Sequence, residues 1–467
     1  MKSFFDDLSA HGDLTAVVTP HAEGVSYRKL AADADQMKEI LCSRSLIFCF
    51  CQNNLESLVG YLGALRARAV PVLIDHNIHP ELFQKLLLAY RPYYLWLPLN
   101  TSLAPAGCTC VHVYDNYMLM KTPFTEAIQL HRDLAQLMTT SGSTGSPKLV
   151  RQSYLNINHN ANAIAQYLSI TAGDRPITTL PMSYTYGLSI IASHLLKGCT
   201  LILNSYTLME KAFWETLKTQ SATTFGGVPY TYEMLKKLRF MKMELPSLKT
   251  ITLAGGKLRA NLVEEFASIC ELKKINFVVM YGQTEATARM SYLPSKYARS
   301  KPDSIGVAIP EGAFWLEDDR GQKITSHDEV GELVYKGANV SMGYALSYSD
   351  LCKTDHNQGV LRTGDMAKRD VDGFYYIVGR RARFLKLFGK RVNMDEVEQL
   401  LLSEGYECAC AGEDELMKIF VTGNANPEIV KKFIVERTGI AATAFSVTQL
   451  DTIPRNVAGK ILYANLE

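Results

Sequence analysis

The sequence predicts an α/β fold: a large N-terminal domain of parallel α/β sheets that includes a β-rich subdomain, followed by a small C-terminal α+β domain. Three observations support this prediction. The chain has 467 residues, which is more than one ordinary domain holds. Strand and helix patterns alternate through about the first 290 residues, as in a parallel sheet covered by helices. Short strands and turns dominate residues 304–378, and helices return after residue 379.

The first elements follow from apolar spacing and from capping residues. Ser26 is a candidate helix N-cap, and Leu30, Ala34, Met37 and Leu41 fall on one face of the helix that follows. Buried strands and helices then alternate, with strands at 46–51, 69–74 and 93–97 and helices from 55 to 65 and from 82 to 90.

The alternation resumes after a glycine-bearing loop at residues 139–148. We expect strands at 177–180, 200–203, 223–225, 250–253 and 277–280, with helices at 209–219 and 262–269. The expected strands of the β-rich subdomain include 331–335 and 372–378. The C-terminal region combines helices at 394–402 and 427–438 with strands at 418–422 and 445–450, which suffices for a small domain.

Composition excludes several classes of function. Apolar residues make up 47% of the chain, charged residues 21%, and the formal net charge is +2, so nothing indicates a nucleic-acid or acidic-membrane partner. No apolar run reaches the length of a membrane span, and the N-terminus turns acidic without a signal-peptide core. We therefore expect a cytoplasmic protein.

The ten cysteines include three C-x-C pairs, at 49/51, 108/110 and 408/410. A metal site needs complementary pairs at ligand spacing, and neither a C-x-x-C pair nor a histidine partner accompanies these. We therefore expect free thiols, buried or half-buried, in a reducing compartment.

The loop from Thr139 to Lys148 has the composition of a polyphosphate-binding loop. Glycine lets the backbone approach a ligand, hydroxyls and N–H groups donate hydrogen bonds, and lysine adds positive charge. Pro147 and Leu149 stand where a P-loop requires glycine and Ser or Thr, so the loop is of another type. The alternative is an ordinary flexible turn.

Two further polar clusters stand where strands should end, which is where open α/β sheets bind ligands. In residues 281–285, Tyr281 suits stacking on a nucleobase, and Thr284 and Glu285 suit a hydrated Mg²⁺ held mainly by phosphates. In residues 362–365, Asp365 follows a tight turn and suits the two hydroxyls of a ribose. An ordinary loop and an Asp-capped turn are the competing interpretations.

Two cationic clusters lie near the C-terminus, at 379–391 and at 454–460. Taken singly, each has the composition of a solvated surface. The order and spacing of all these clusters nevertheless match one family across nearly the whole chain. The matching segments are T-S-G-S-T-G-x-P-K (140–148), Y-G-x-T-E (281–285), G-E-L with G-x-x-x-x-x-G-Y (331–344), R-T-G-D (362–365), G-R with K-x-x-G-x-R (379–391) and the terminal G-K.

The chain thus resembles the adenylate-forming (AMP-binding) superfamily of acyl- and aryl-CoA synthetases, luciferases and peptide-synthetase adenylation domains. The resemblance implies two half-reactions. A carboxylic acid attacks ATP in the presence of Mg²⁺, giving acyl-AMP and pyrophosphate, and a thiol of CoA or of a carrier protein's phosphopantetheine then displaces AMP. The acid is already ionised at pH 7, so the first step needs cations and hydrogen-bond donors rather than a general base.

The resemblance also implies a role for each matching residue. Lys460, Thr284 and Lys148 are the expected catalytic residues, with Lys460 bridging the α-phosphate and the acid and Lys148 acting with the phosphate loop. Glu285 is the expected Mg²⁺ residue. The expected nucleotide-binding residues are Thr140, Ser141, Gly142, Ser143, Thr144, Gly145, Gly255, Gly256, Tyr281, Gly282, Gln283, Asp365 and Arg380.

The family's architecture implies a domain division and a motion. Residues 1–380 would form the large adenylation domain with the β-rich subdomain at 304–378, residues 381–383 the hinge, and residues 384–467 a small mobile domain that rotates between half-reactions. Residues 386–391 would then face the thiol tunnel. Ala382 departs from the Asp or Lys usual at the hinge, and the final domain is shorter than usual, so hinge behaviour and the thiol partner's footprint stay open.

The acyl pocket is expected to be aromatic and apolar, which suits an aryl or medium-length acyl acid. Its expected lining is Tyr184, Tyr186, Gly187, Gly226, Gly227, Val228, Tyr230 and Ala254. Tyr184 replaces a histidine common in CoA ligases, and no acidic residue between 181 and 197 is present to pair with an amino acid's ammonium group. Lys257 either meets a second polar group of the acid or, as we favour, points outward.

Three functions therefore compete: an acid–thiol ligase, which the residues favour, an amide synthetase with an amine acceptor, and a non-catalytic nucleotide-binding protein. Retention of Lys148, Glu285, Asp365 and Lys460 argues against the last. The identity of the acid, the choice between CoA and a carrier protein, and the oligomeric state do not follow from the sequence.

Overall fold

The computed structural model describes residues 2–19, 24–101, 103–139, 148–388, 390–423, 425–455 and 461–466. Helices cover both faces of the central sheets in this part of the chain. They are α1 Tyr27–Ile40, α2 Leu55–Arg66, α3 Pro80–Tyr90, α4 Tyr154–Tyr167, α5 Thr185–Leu195, α6 Lys211–Thr219, α7 Pro229–Lys237, α8 Ala260–Lys273, α9 Met394–Ser403 and α10 Pro427–Thr438.

The strands fall into six sheets. Up to residue 202 they are β1 Thr15–Val18, β2 Val25–Ser26, β3 Leu46–Cys51, β4 Val70–Asp75, β5 Tyr94–Pro98, β6 Thr109–Tyr114, β7 Tyr117–Lys121, β8 Leu134–Thr139, β9 Leu149–Ser153 and β10 Leu201–Ile202. From residue 224 to 345 they are β11 Thr224–Gly227, β12 Thr250–Leu253, β13 Asn276–Tyr281, β14 Ser291–Leu293, β15 Val307–Ala308, β16 Ala313–Glu317, β17 Lys323–Ile324, β18 Gly331–Lys336 and β19 Tyr344–Ala345. The last are β20 Val360–Arg369, β21 Tyr375–Arg380, β22 Phe384–Leu387, β23 Lys390–Asn393, β24 Cys408–Glu413, β25 Leu416–Val421 and β26 Phe445–Gln449.

The largest sheet has eight strands in the order β19-β9-β8-β4-β3-β5-β7-β6. Strands β8, β4, β3 and β5 run parallel in its centre. Successive residues of β3 point to opposite faces, so Ile47 packs with helices α1 and α2 while Phe48 packs with α3. Because both faces are covered, β3 is apolar along its whole length.

The second sheet carries three parallel strands, β11, β12 and β13, and is extended by the antiparallel strands β14 and β15. Phe225 and Phe277 pack on its outer side with helices α7 and α8, and Met280 packs on its inner side with α5. The inner side therefore forms the wall of an enclosed apolar region between this sheet and α5.

The β-rich subdomain is an antiparallel sheet of five strands in the order β17-β16-β18-β20-β21. Beyond it, the hairpin β22–β23, the sheet β24-β25-β26 and helices α9 and α10 share their own apolar core. The fold class predicted from the sequence is confirmed, and α10 has the bounds that its periodicity predicted.

Three local expectations were wrong. Residues 177–180 do not form a strand, because only single bridges from Pro176 and Ile177 join neighbouring strands. The parallel centre of the eight-stranded sheet is flanked by antiparallel strands, including the hairpin β6–β7. Cys110 is exposed on β6, contrary to the buried or half-buried thiols expected of the C-x-C pairs, because β6 lies at the sheet edge.

The ten cysteines are free. Among the residues described above, no helix is long and apolar enough to cross a membrane.

Candidate active site

Three parallel strands of the second sheet deliver their carboxyl ends to one edge. Gly227 of β11 lies beside Leu253 of β12, which in turn lies beside Val279 of β13. Residues 254–256 and 281–285 follow these ends directly. The sheet therefore brings together two segments that are about 27 residues apart in the sequence, at the edge where open α/β sheets bind ligands.

Four polar side chains meet at this edge, and we call them the Asp365 cluster: Tyr281, Gln283, Asp365 and Arg380. The Tyr281 hydroxyl donates to Asp365 Oδ2 in a short hydrogen bond, and Gln283 Nε2 donates to the same oxygen at 2.9 Å. Arg380 Nε lies 3.4 Å from Asp365 Oδ1. Strands β20 and β21 pair Asp365 with Arg380 in register, so the subdomain positions both charges.

Burial dominates the electrostatics of the cluster. The Asp365 side chain is almost fully enclosed, and burial raises the pKa of its carboxyl above the usual value, although Tyr281, Arg380 and Gln283 oppose the rise. Burial also raises the pKa of Tyr281, and the neighbouring Asp365 carboxylate adds to that rise. An enclosed carboxylate with a remaining acceptor position is a suitable partner for sugar hydroxyls.

A second group joins the carboxylate of Glu285 to Lys148 through Tyr344. The Tyr344 hydroxyl donates to Glu285 Oε1 at 2.7 Å, and Lys148 Nζ lies 3.3 Å from the centroid of the Tyr344 ring. Strand β19 holds Tyr344 opposite Val150, two residues beyond Lys148. The predicted phosphate-loop lysine and the predicted Mg²⁺ carboxylate thus both contact one tyrosine, at its ring face and at its hydroxyl.

A series of buried side-chain hydrogen bonds holds the backbone of Thr284 in place. Gln152 Nε2 donates to the Thr284 carbonyl at 2.9 Å, Gln136 Nε2 donates to Gln152 Oε1 at 2.7 Å, and the Tyr61 hydroxyl donates to Gln136 Oε1 at 2.6 Å. The side-chain hydroxyl of Thr284 lies 3.4 Å from that of Thr185. The first turn of α5 therefore abuts the 281–285 segment.

The predicted acyl pocket lies between α5 and the inner side of the second sheet. Tyr184 and Tyr186 meet edge to face with ring centroids 6.3 Å apart. The Tyr186 hydroxyl lies 2.7 Å from Thr252 Oγ1, and a Cβ at Gly226 would stand 2.9 Å from that hydroxyl. Burial raises the pKa of Tyr184 to about 12, so its phenol is neutral at pH 7.

Gly255 follows β12 at the sheet edge and lies directly against Tyr184 of the expected acyl pocket. Its φ of +88° is in the region that favours glycine, and a Cβ there would stand 2.5 Å from the Tyr184 hydroxyl. Val228 and Ala254 are buried in one cluster with the two tyrosines. Gly187 and Gly227 are also buried, but a Cβ there would meet residues 180–181 and 231–232 instead, and Gly256 follows Gly255 in the loop.

Two residues near the pocket point away from it. Tyr230, expected in the lining, is 54% exposed because it stands on the outer side of the first turn of α7. Lys257 is half-exposed and lies 3.8 Å from Asp303. The outward orientation favoured for Lys257 is the one observed.

Several predicted site residues lie outside the described residues. They are Lys460 and Thr140, Ser141, Gly142, Ser143, Thr144 and Gly145. Gly282 directly follows β13, between Tyr281 and Gln283 of the Asp365 cluster.

Sequence reasoning missed Gln152, the role of Tyr344 between Lys148 and Glu285, and a buried arginine, Arg289. The first two act through contacts between residues that are 132 and 59 positions apart, which no local pattern reveals. Arg289 carried a usable signal, because a charged residue follows Y-G-x-T-E within an otherwise apolar and small-residue segment.

The donor set fits magnesium–nucleotide binding. Mg²⁺ is usually held by one or two carboxylates together with substrate phosphates and waters, and Glu285 supplies one carboxylate next to Lys148. When bound, Mg²⁺ would neutralise phosphate charge. Asp365 would accept from sugar hydroxyls with Arg380 beside it, and Lys148 would supply positive charge for phosphates.

Comparisons with known proteins identify the family of the chain. The model of the AMP-binding enzyme family matches residues 4–345. The 2-succinylbenzoate–CoA ligase of Bacillus licheniformis is 28% identical over 389 residues, which cover 81% of this chain and 78% of that protein. The corresponding ligase of Bacillus subtilis is 28% identical and covers 71% of this chain and 68% of that protein.

Solved structures show the same fold. O-succinylbenzoate coenzyme A synthetase from Bacillus subtilis, in complex with AMP, superimposes with a TM-score of 0.81 at 21% identity and covers 100% of this chain and 98% of that chain. MatB from Rhodopseudomonas palustris, bound to ATP, has a TM-score of 0.76 at 19% identity and covers 98% and 97%. The chain therefore belongs to the AMP-binding enzyme family, and it activates a carboxylic acid with ATP and transfers the acyl group to a thiol.

Proposed function

We propose that this enzyme joins an aromatic acid of the 2-succinylbenzoate type to coenzyme A. The observation that carries the proposal is the edge-to-face pair of Tyr184 and Tyr186, which packs closely against Gly226 and Gly255 where the acyl pocket is expected. Such a pair suits an aromatic ring. The similarity to 2-succinylbenzoate–CoA ligases, which extends over 81% of the chain in one relative, supports the same class of acid and CoA as the acceptor rather than a carrier protein.

The roles proposed for the site are those that the resemblance to the family implies. Tyr281 contacts adenine opposite Gly255 and Gly256, Asp365 and Arg380 hold the ribose, and residues 141–148 hold the outer phosphates. Thr284 contacts the α-phosphate, and the 3.4 Å between its hydroxyl and that of Thr185 on α5 supports a position for the activated carboxylate next to the expected acyl pocket. Lys460 would bring positive charge between the two anions.

The hinge proposal also has support in the ion pairs around Ala382. Arg381 Nη1 lies 2.8 Å from Glu332 on β18, which belongs to the large domain. Arg383 pairs with Asp395 and Glu398 on α9, which belongs to the small domain. The two arginines that flank Ala382 thus pair with elements of different proposed domains. We propose residues 1–380 and 384–467 as the two domains and 381–383 as the pivot between them.

The test is a coupled assay of both half-reactions. The enzyme, ATP, Mg²⁺ and 2-succinylbenzoate should release pyrophosphate, and added CoA should give a thioester of the matching mass. Turnover of other acids but no aromatic acid would refute the proposed substrate. Thioester formed on a phosphopantetheine carrier but not on CoA would refute the proposed acceptor, and an amide formed with an amine in place of a thiol would favour an amide synthetase.

The assignment of Lys460 needs a separate experiment, because it concerns one half-reaction. Lys460→Ala should slow pyrophosphate release far more than it slows thioester formation from preformed acyl-AMP and CoA. Equal losses in the two assays would refute the assignment.

A further inference from the structure

Arg289 is a fully buried cation without a carboxylate partner among the described residues. Only 2% of its surface is exposed. Its Nε donates to Ser189 Oγ at 3.0 Å, and its Nη1 contacts the Tyr167 hydroxyl at 3.1 Å and Met280 Sδ at 3.2 Å. All of these partners are neutral, and the described residues provide no hydrogen-bond acceptor for Nη2.

A second buried arginine shows how the same fold satisfies such a charge for structural reasons. Arg151 is also fully buried, but its guanidinium donates to the backbone carbonyls of Met342, Lys353 and Thr354. Asp350 and Asp355 also act on it electrostatically. Among the described residues, no backbone carbonyl accepts from the Arg289 guanidinium and no carboxylate forms an ion pair with it. A buried charge in such a setting is costly unless an anion joins it.

The position of Arg289 relates it to the acid rather than to the nucleotide. Its guanidinium lies 5.0 Å from the centroid of the Tyr186 ring, one of the residues expected to line the acyl pocket. Ser189, which accepts from Arg289, stands one helical turn beyond Thr185 on α5, and Thr185 touches Thr284 where the carboxylate would be activated. Residues four apart lie on one helix face and are separated by about 6 Å along the axis.

We propose that Arg289 binds a second anionic group of the acid substrate, so that the enzyme selects dicarboxylic acids whose carboxylates lie about one helical turn apart. This inference rests on the proposed function, because it names the feature of the acid that the pocket selects. Two carboxylates at the two ends of a short aromatic acid, as in 2-succinylbenzoate, meet the requirement. The guanidinium suits it, since its positive charge and the N–H groups of Nη2 are left for a carboxylate.

The test compares one diacid with two monoacids of matched shape. The acids are 2-succinylbenzoate, 4-oxo-4-phenylbutanoate, which lacks the ring carboxylate, and 2-butanoylbenzoate, which lacks the side-chain carboxylate. We expect the wild-type enzyme to show a kcat/KM for pyrophosphate release that is about 100-fold higher with the diacid than with either monoacid, as for a desolvated charge pair. Arg289→Met should abolish this preference while changing kcat/KM for the preferred monoacid less than about 3-fold, since Met suits the apolar surroundings.

Two further variants separate recognition from structure. Arg289→Lys keeps the positive charge but not the guanidinium N–H groups, so it should retain part of the diacid preference that Arg289→Met loses. Tyr167→Phe removes one neutral partner of the guanidinium and should keep the preference. Equal losses for all three acids in Arg289→Met would overturn the inference in favour of a structural role.

Wild-type data alone also decide the matter if Arg289→Met does not fold. Turnover of the aromatic acids without preference for the diacid would overturn the inference and leave the proposed aromatic substrate intact. Turnover of no aromatic acid would instead refute the proposed substrate. In that case, straight-chain diacids and monoacids of equal length provide the same comparison, and absence of a diacid preference there overturns the inference.

Discussion

Removal of the Asp365 carboxylate should weaken the use of ATP by an amount that the structure allows to be calculated. A carboxylate offers about four acceptor positions. Three are used, by Tyr281, by Gln283 at 2.9 Å and by Arg380 at 3.4 Å. One position is left for a ribose hydroxyl. We therefore expect Asp365→Ala to lose one charge-assisted hydrogen bond to the nucleotide.

Such a bond contributes about 1.5–3 kcal/mol, which corresponds to about a 10- to 150-fold loss in kcat/KM for ATP. A larger loss would mean that Arg380 releases Asp365 Oδ1 when the ribose binds, which makes a second position available. Gln283→Ala is the matched control, because it removes one donor from the cluster and keeps the carboxylate. We expect it to change kcat/KM for ATP less than about 5-fold, since it only removes a bond that orients Asp365.

Deoxynucleotides make the assay specific for the ribose. Pyrophosphate release is measured with ATP, 2′-deoxyATP and 3′-deoxyATP for the wild type and Asp365→Ala. If Asp365 binds one hydroxyl, the mutation should cost less than about 3-fold with the nucleotide that lacks that hydroxyl, because the two changes remove the same bond. An equal cost with all three nucleotides would show that Asp365 does not contact the ribose.

Three further predictions concern stability and reactivity. Gln152→Leu leaves the Thr284 carbonyl and the Gln136 amide without a hydrogen-bond partner. It should therefore lower the free energy of unfolding by about 2–6 kcal/mol and slow adenylation. An unchanged denaturant unfolding curve would contradict a stabilising role of these buried hydrogen bonds. Burial lowers the pKa of His194 to about 4. Since the unfolded value is about 6.5, the folded protein binds fewer protons, and about 3 kcal/mol of stability present above pH 6.5 should be lost as the pH falls towards 4. His194→Gln should flatten this decline in unfolding titrations, and an unaltered slope would contradict it. In a titration of the native protein with a thiol reagent, three cysteines should react fast, namely Cys42, Cys110 and Cys352. All ten should react fast in the denatured protein. Fast reaction of more than three in the native protein would contradict the burial of the other thiols.

Many helices and strands were predictable because their capping residues and apolar spacing lie within the element itself. Ser26 caps α1 by accepting a hydrogen bond from the Lys29 N–H, as the sequence predicted, and the apolar face of that helix is buried. The same reasoning failed at Ile177, whose apolar character reflects burial between two sheets rather than membership of a ladder. It also failed to find β6, whose exposed edge residues do not alternate as a half-buried strand does.

The candidate site divides in the same way. Tyr281, Thr284 and Glu285 were predicted because they follow a strand in a short segment with a recognisable composition. That Asp365 receives hydrogen bonds from both Tyr281 and Gln283 follows only from the packing of the β-rich subdomain against the second sheet. Tyr344 reaches Glu285 only because β19 pairs with β9.

The sequence by itself determined the family, the reaction class and the residue types that the chemistry needs, because the motifs are short segments whose chemistry resides in their own side chains. The tertiary structure decided which of these segments meet and what each partner does to the other. Arg289 illustrates the difference: the sequence shows an arginine four residues after Glu285, but only the fold shows that the guanidinium is buried behind Tyr186 with neutral partners. Burial and pairing are properties of the whole packed chain, since they depend on contacts between distant residues.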